Sequence, residues 1–307
     1  MTNQRRLAAV GFHSGELAAQ RNAGVQAQAA RLAPMVGPGE LSAGVSAFLA
    51  GATFAAITAR DRSGHLWTSP LLGPPGFLRA DNRNNLRIGT AVPDADPLHL
   101  LPAGQPAGVL VIDFATRRRV RINGLLTASD RAGLTVEVEQ AYGNCPQYIH
   151  QRRGRKPHDP ARILQYRGES LRSNDIRLIE SADTFFLGTT HPDSGNDASH
   201  RGGPPGFVRV AGDGLWWPDY PGNNMFNSFG NLAVDPTAAL LFVDFQTGAT
   251  LQLSGTATVD WHGPVEGDDN ATGRRVHFIT RHVVASDITG LVADGHAPHR
   301  PITEDTP

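Results

Sequence analysis

The residues best suited to hold an anion are concentrated in the second half of the chain. Ser199-His200-Arg201 runs directly into Gly202-Gly203, and PGNNMFNSFGNL follows at Pro221–Leu232. Arginine offers a planar, two-pronged donor that matches phosphate, serine adds a hydroxyl, and paired glycines let a ligand approach the backbone closely. Asn223, Asn224 and Asn227 fall at the expected start of a helix, where free N–H groups and amide side chains make an anion cradle. If Ser199–Arg201 is a strand, Ser199 and Arg201 point to one side and His200 to the other. His200 could then contact the bound group, donate a proton near neutral pH, or support the packing. The plainer reading is an Asn/Gly-rich helix cap beside a solvated arginine.

Position in a repeat sharpens this reading. GPPGFLR at Gly73–Arg79 returns as GPPGFVR at Gly203–Arg209, Ala52-Thr53-Phe54 as Asp183-Thr184-Phe185, and Ile112–Thr116 as Val243–Thr247. The spacings are 130, 131 and 131 residues, in the same order. Two copies of one β-rich unit imply a dimer fused into one polypeptide, whose interface site can survive on one side only. Where the second copy has Ser199, His200 and Arg201, the first has Ser69, Pro70 and Leu71. Where the second copy has a helix at Met225–Val234, the first has the proline-broken stretch Pro93–Gly108, which cannot form the same helix start. Asp113 and Asp244 recur in both copies, which suits a structural role rather than a place in an asymmetric site.

The elements that must position these residues are mostly strands. Helices are expected over Gly15–Ala33, ended by Pro34, and over Gly39–Leu49. First-copy strands are expected at Thr53–Thr58, His65–Ser69, Gly76–Arg79, Val109–Phe114, Arg119–Thr127 and Leu134–Val138. Second-copy strands are expected at Thr184–Thr190, Ser199–Arg201, Gly206–Val210, Gly214–Trp217, Ala239–Phe245, Thr250–Val259 and Arg275–Val284. The chain thus divides into a helical segment (1–50), a first barrel (51–140), a basic connector (141–175), a second barrel (176–290) and a tail (291–307). The fold class is mainly β with α decoration: two tandem split β-barrels forming an intramolecular pseudo-dimer.

Composition agrees. Hydrophobic residues at 40% with 19% charged describe a soluble globular chain, and a net charge of −1 gives no overall pull toward nucleic acid. Gly 34 and Pro 22 together make up roughly 18% of residues, against about 12% in average usage, an excess that fits many turns. One cysteine, Cys145, excludes an internal disulfide and fits a reducing compartment. No stretch has the length of a membrane span and no signal peptide is apparent, so the expected location is the cytoplasm.

The chain resembles the pyridoxamine 5'-phosphate oxidase-related flavin-binding split barrels, in their tandem-repeat branch. The resemblance is carried by FHSGELAAQRNAGV at Phe12–Val25, NCPQYIHQRR at Asn144–Arg153, SHRGGPPGFVRV at Ser199–Val210 and WPDYPGNNMFNSFGNL at Trp217–Leu232. It implies FMN in the seam between barrels. It places the phosphate on Ser199, Arg201, Asn223, Asn224 and Asn227, with His200 and Met225 beside them. The first copy would act as the partner barrel, bringing Trp67, Thr68 and Ser69 near the ring. Asn223-Asn224-Met225 stands where the oxidase proper has arginine and lysine, and its substrate-phosphate residues have no match here, so vitamin B6 oxidation is not the expected activity. The resemblance implies an FMN-dependent oxidoreductase taking electrons from NAD(P)H or an iron–sulfur reductase partner to oxygen or a small acceptor. A flavin carrier, or a haem-binding relative using His200 or His282, is the alternative, and further dimerisation is open.

Other polar groups have plainer readings. Arg152, Arg153, Arg155 and Lys156 form either a solvated charge run or, through Arg152 or Arg153, an arm reaching the anion. Cys145 is expected as a buried structural thiol. His13 reads as a helix cap. No HExxH, CxxC or paired-histidine spacing points to a metal.

Overall fold

The computed structural model describes residues 11–152, 161–212, 214–262 and 272–289. Alternating and continuous apolar runs become strands wherever turn residues separate them. In the first copy these are β1 (Phe54–Arg60), β2 (Leu66–Leu72), β3 (Leu78–Asn82), β4 (Asn85–Ile88), β5 (Gln105–Asp113), β6 (Arg118–Asp130) and β7 (Gly133–Gly143). They form one antiparallel sheet in the order β2-β1-β5-β6-β7-β4-β3. After β8 (Arg162–Gly168), the second copy supplies β9 (Thr184–His191), β10 (Gly195–Gly202), β11 (Arg209–Ala211), β12 (Gly214–Pro218), β13 (Thr237–Val243), β14 (Ala249–Asp260) and β15 (Arg275–Ile288). Its order, β10-β9-β13-β14-β15-β12-β11, repeats the first strand for strand, and β8 adds to β15. The duplication seen in the sequence is therefore a duplication of topology.

Equivalent turns use equivalent residues. Asp113 accepts from Ala115 N (2.9 Å) and the Thr116 hydroxyl (2.6 Å); Asp244 accepts from Gln246 N (2.8 Å) and the Thr247 hydroxyl (2.7 Å). The same turn closes on a left-handed residue, Arg117 (φ 53°) in one copy and Gly248 (φ 82°) in the other. One echo is displaced. Gly73 N donates to Thr53 O as Gly203 N donates to Asp183 O, so Thr53 corresponds to Asp183, not to Thr184. Accordingly Phe54 sits in the core between the copies, while Phe185 points into the second copy's own core.

Each copy buries its own core, around Ile57, Val109 and Val136 in the first and Phe185, Leu240 and Phe278 in the second. A third core, including Phe54, Ala56, Leu110, Phe186, Ala198 and Leu241, lies between them. The copies approach closely. A Cβ on Gly188 would lie 2.3 Å from Thr68 Oγ1, and one on Gly108 would lie 2.7 Å from Asp197 Cα.

The helices depart further from expectation. The helix expected over Gly15–Ala33 is instead α1 (Ser14–Asn22), α2 (Gln26–Ala30) and a 3-10 turn at Ala33–Val36, broken where Gly24 takes φ +69°. The next helix, α3 (Ala43–Gly51), begins later than expected because Ser42 caps it by accepting from Val45 N. The connector holds β8 and the first turn of α4 (Ser173–Ser181), and α5 (Asn227–Val234) follows the asparagine-rich loop. Among the described residues no helix is long and apolar enough to cross a membrane.

Candidate functional site

The pseudo-two-fold arrangement creates two seams. In one, β10 of the second copy lies against β5 and β6 of the first; in the other, β2 of the first lies against β13 and β14 of the second. Strand alternation puts Arg119, Arg121 and Asn123 on one face of β6, and they face β10. Their counterparts on β14 are Thr250, Gln252 and Ser254. The seams therefore share a backbone plan and differ in charge.

In the β6–β10 seam, Arg121 Nη1 pairs with Asp197 at 3.0 Å and Asn123 Nδ2 donates to the same carboxylate at 3.2 Å. Beyond that pair opens a cavity of about 80 Å³ whose lining includes Arg119, Asn144, His200, Arg201 and Asn223, with Tyr148, Trp217 and Tyr220 as aromatic walls. Tyr148 and Tyr220 stack with centroids 5.3 Å apart. Arg119 Nη1 donates to His200 Nδ1 at 2.9 Å, so a neutral imidazole carries its proton on Nε2. That Nε2 is buried without a partner, as are Arg119 Nε, Arg201 Nε and both side-chain polar atoms of Asn144. Burial, reinforced by Arg119, Arg152, His150 and Arg201, keeps the His200 pKa well below the ordinary histidine value. Burial and the neighbouring Arg121 and Arg201 likewise lower Arg119 to about 9. Two buried guanidinium groups and a neutral imidazole N–H with no acceptor make a site that an anion would complete.

The other seam is closed by the protein itself. Ser69 Oγ donates to Asp96 (2.6 Å), and Gln252 Nε2 donates to Ser69 Oγ (2.8 Å) and to Thr68 O (3.1 Å). Arg162, from β8, forms a buried ion pair with Asp96 and donates to Ser286 Oγ and Thr250 Oγ1. An internal guanidinium and carboxylate thus fill the place where the first seam has open space.

The residues expected from sequence divide accordingly. Arg201, His200 and Asn223 line one cavity. Ser199 does not join them. Its hydroxyl turns under α5 to Leu187 O and Ser228 Oγ, both at 3.2 Å. Asn224 donates to Gln28 (3.2 Å), Met225 is buried against Val36 and Tyr142, and Asn227 donates to the Glu16 carboxylate. Trp67, Thr68 and Ser69 lie in the closed seam, and Trp67 Nε1 donates to Asp61 at 3.0 Å. Arg152 pairs with Asp183 and packs over Phe114 and Phe245 rather than reaching the cavity. Arg153 lies outside the described residues. Cys145 is exposed on the cavity lining, not buried as expected, because the chain leaves β7 two residues earlier. His282 lies against His65, with ring centroids 4.2 Å apart and the planes tilted by 49°.

Residues 176–267 match the family model described as pyridoxamine 5'-phosphate oxidase. Over these residues the chain is similar to the pyridoxamine 5'-phosphate oxidase family. The matched segment lies in the second copy, the one that carries the arginine and histidine on β10, and the first copy repeats its strand order. No curated protein matches the chain. Solved structures similar to it include HupZ of Group A Streptococcus, with 10% identity over 41% of this chain and 100% of that one, at a TM-score of 0.31. The FAD binding protein of Mycobacterium smegmatis has 11% identity over 41% and 97% (TM-score 0.27). HutZ, the heme storage protein of Vibrio cholerae, has 10% identity over 36% and 90% (TM-score 0.28). At such scores these likenesses carry no inference about this chain's chemistry.

Proposed function

We propose that this chain is a flavin-dependent oxidoreductase that holds FMN by its phosphate in the β6–β10 cavity. The observation that carries this reading is the convergence of Arg119 Nε, Arg201 Nε and His200 Nε2, buried donors without acceptors, from both copies of the repeat. Asn144 and Asn223 extend the donor set, and the stacked Tyr148–Tyr220 pair offers a flat apolar wall beside it. The match of residues 176–267 to the pyridoxamine 5'-phosphate oxidase model is compatible with a flavin. When bound, the flavin would supply the hydride or electron transfer; the protein's part is to bind, orient and shield it. Electrons would come from NAD(P)H or a reductase partner and pass to oxygen or a small acceptor. Closure of the opposite seam by Arg162 and Asp96 supports one cofactor per chain.

The test is the visible spectrum of the purified protein, before and after anaerobic addition of NADPH or NADH. Flavin bands at about 375 and 450 nm that bleach support the oxidoreductase. Bands that persist favour a carrier or the need for a reductase. A colourless protein that takes up no added FMN sinks the cofactor reading.

A further inference from the structure

On the other side of the Arg121–Asp197 pair lies a second cavity, of about 100 Å³, with the opposite electrostatic character. Its charged lining is acidic: Glu16 from α1, Glu139 from β7, and Asp193 and Asp197 from the β9–β10 hairpin and β10. Among the described lining residues there is neither lysine nor arginine. The lining histidine, His13, is uncharged. Its Nδ1 accepts from Gly15 N (3.2 Å), so Nε2 is the donor to Asn231 Oδ1 (3.0 Å). Burial, with His191 alongside and against the Asn231 bond, lowers its pKa to about 4.

The decisive group is Asn123, only 7% exposed and lining the same cavity. Its Nδ2 donates to Asp197 Oδ1 and to Gln140 Oε1. Asp197 can only accept, so the amide cannot be turned round, and Oδ1 is left as a buried acceptor without a donor. A buried orphan acceptor costs stability unless something supplies an N–H or O–H. The first cavity holds unpartnered guanidinium and imidazole donors; this one holds an unpartnered acceptor.

We propose that the acidic cavity is a binding site for a small organic cation with N–H groups, an ammonium or guanidinium, held by Asn123 Oδ1 and the Glu16 and Asp193 carboxylates. It draws on no residue of the anion cavity and stands whether or not that cavity takes a flavin. The seam would then present an anion site and a cation site at opposite ends of one groove along β10.

The test is a calorimetric titration of the full chain with methylguanidinium at fixed ionic strength and pH 8, repeated with tetramethylammonium, which has the charge but no N–H. Saturable methylguanidinium binding in the millimolar range or tighter is expected, with little response to tetramethylammonium. Asn123→Leu should weaken it about tenfold, and Asp193→Asn, an exposed change harmless to folding, about two- to threefold. Equal binding of both cations, unchanged affinity in both variants, or no saturation by about 20 mM would overturn the proposal. Repeating the titration with FMN present separates the two sites. Cation binding without flavin binding leaves this proposal standing and removes the other.

Discussion

Arg119 of the first copy and His200 of the second meet at 2.9 Å, guanidinium nitrogen to imidazole Nδ1. Neither copy could make this contact alone. It sets which imidazole nitrogen holds the proton, and it leaves Arg119 Nε and His200 Nε2 unpartnered in one cavity. The fused dimer has thus built from two chain segments a donor set that its opposite seam has replaced with an internal ion pair.

If the cavity grips a phosphate, Arg119→Ala should weaken FMN binding about 10- to 100-fold. Riboflavin, which lacks the phosphate, should bind the variant as it binds the parent. Arg119→Lys should fall between, since an ammonium keeps the charge but not the planar fork. Fluorescence titration with both flavins reads the difference. Equal losses for FMN and riboflavin would mean that Arg119 supports the fold of the site and not the phosphate.

Closure of the second seam by Arg162 and Asp96 predicts an energetic asymmetry. Both side chains are almost fully buried, at 2% and 0% exposure. Removing one partner leaves a buried charge uncompensated, so Arg162→Ala should cost about 3–5 kcal/mol in urea unfolding. The double change Arg162→Met with Asp96→Leu should cost less than either single change. A small effect of Arg162→Ala alone would show that water reaches the seam.

Much of this was legible in the sequence. The GPPGF repeat located both copies, the paired aspartates marked equivalent turns, and Arg201, His200 and Asn223 do share a cavity. The first copy's contribution was misplaced because Trp67–Ser69 is the counterpart of β10, and β10 faces β6 rather than β2. A signal for β6 existed: Arg119, Arg121 and Asn123 alternate with Val120 and Ile122, a polar face on a strand in the middle of its sheet. The approach of Glu16 to Asn227 joins positions 211 residues apart, and no local pattern encodes such a contact. Strand β8 was hidden in a connector whose basic residues drew attention from the β-rich run Ile163–Tyr166.

The packing of α1 on α5 depends on glycine at a point of close approach. A Cβ at Gly15 would lie 2.2 Å from the Gly230 carbonyl oxygen, which is backbone and cannot swing away. Gly15→Ala should therefore destabilise the protein by about 1–3 kcal/mol. Gly44, in α3, has nothing nearer than Ser42 Oγ at 4.0 Å, and Gly44→Ala should stabilise by up to about 1 kcal/mol through helix propensity. Thermal or urea unfolding of the two variants compares them directly, and equal effects would deny that α1 docks as described.

Two buried groups of α1 and its cap should titrate against each other. Burial raises the Glu16 pKa from 4.5 to about 7, despite hydrogen bonds from His13 N and Asn227 that favour the charge. The unfolded chain gives up this proton above pH 4.5 while the folded chain keeps it. Glu16 therefore makes stability fall as pH rises from 4.5 to about 7. His13 does the reverse. Its pKa drops from 6.5 to about 4, so between those values the unfolded chain binds the extra proton and stability rises with pH. Each shift corresponds to roughly 3 kcal/mol, and over pH 4.5 to 6.5 the two slopes oppose. Glu16→Gln should unmask the rising limb, giving a protein steadily more stable from pH 4 to 6.5. His13→Asn should unmask the falling one. Urea unfolding at half-unit pH intervals would decide it: if Glu16→Gln leaves the slope of the stability profile unchanged below pH 7, Glu16 is not held protonated in the folded chain.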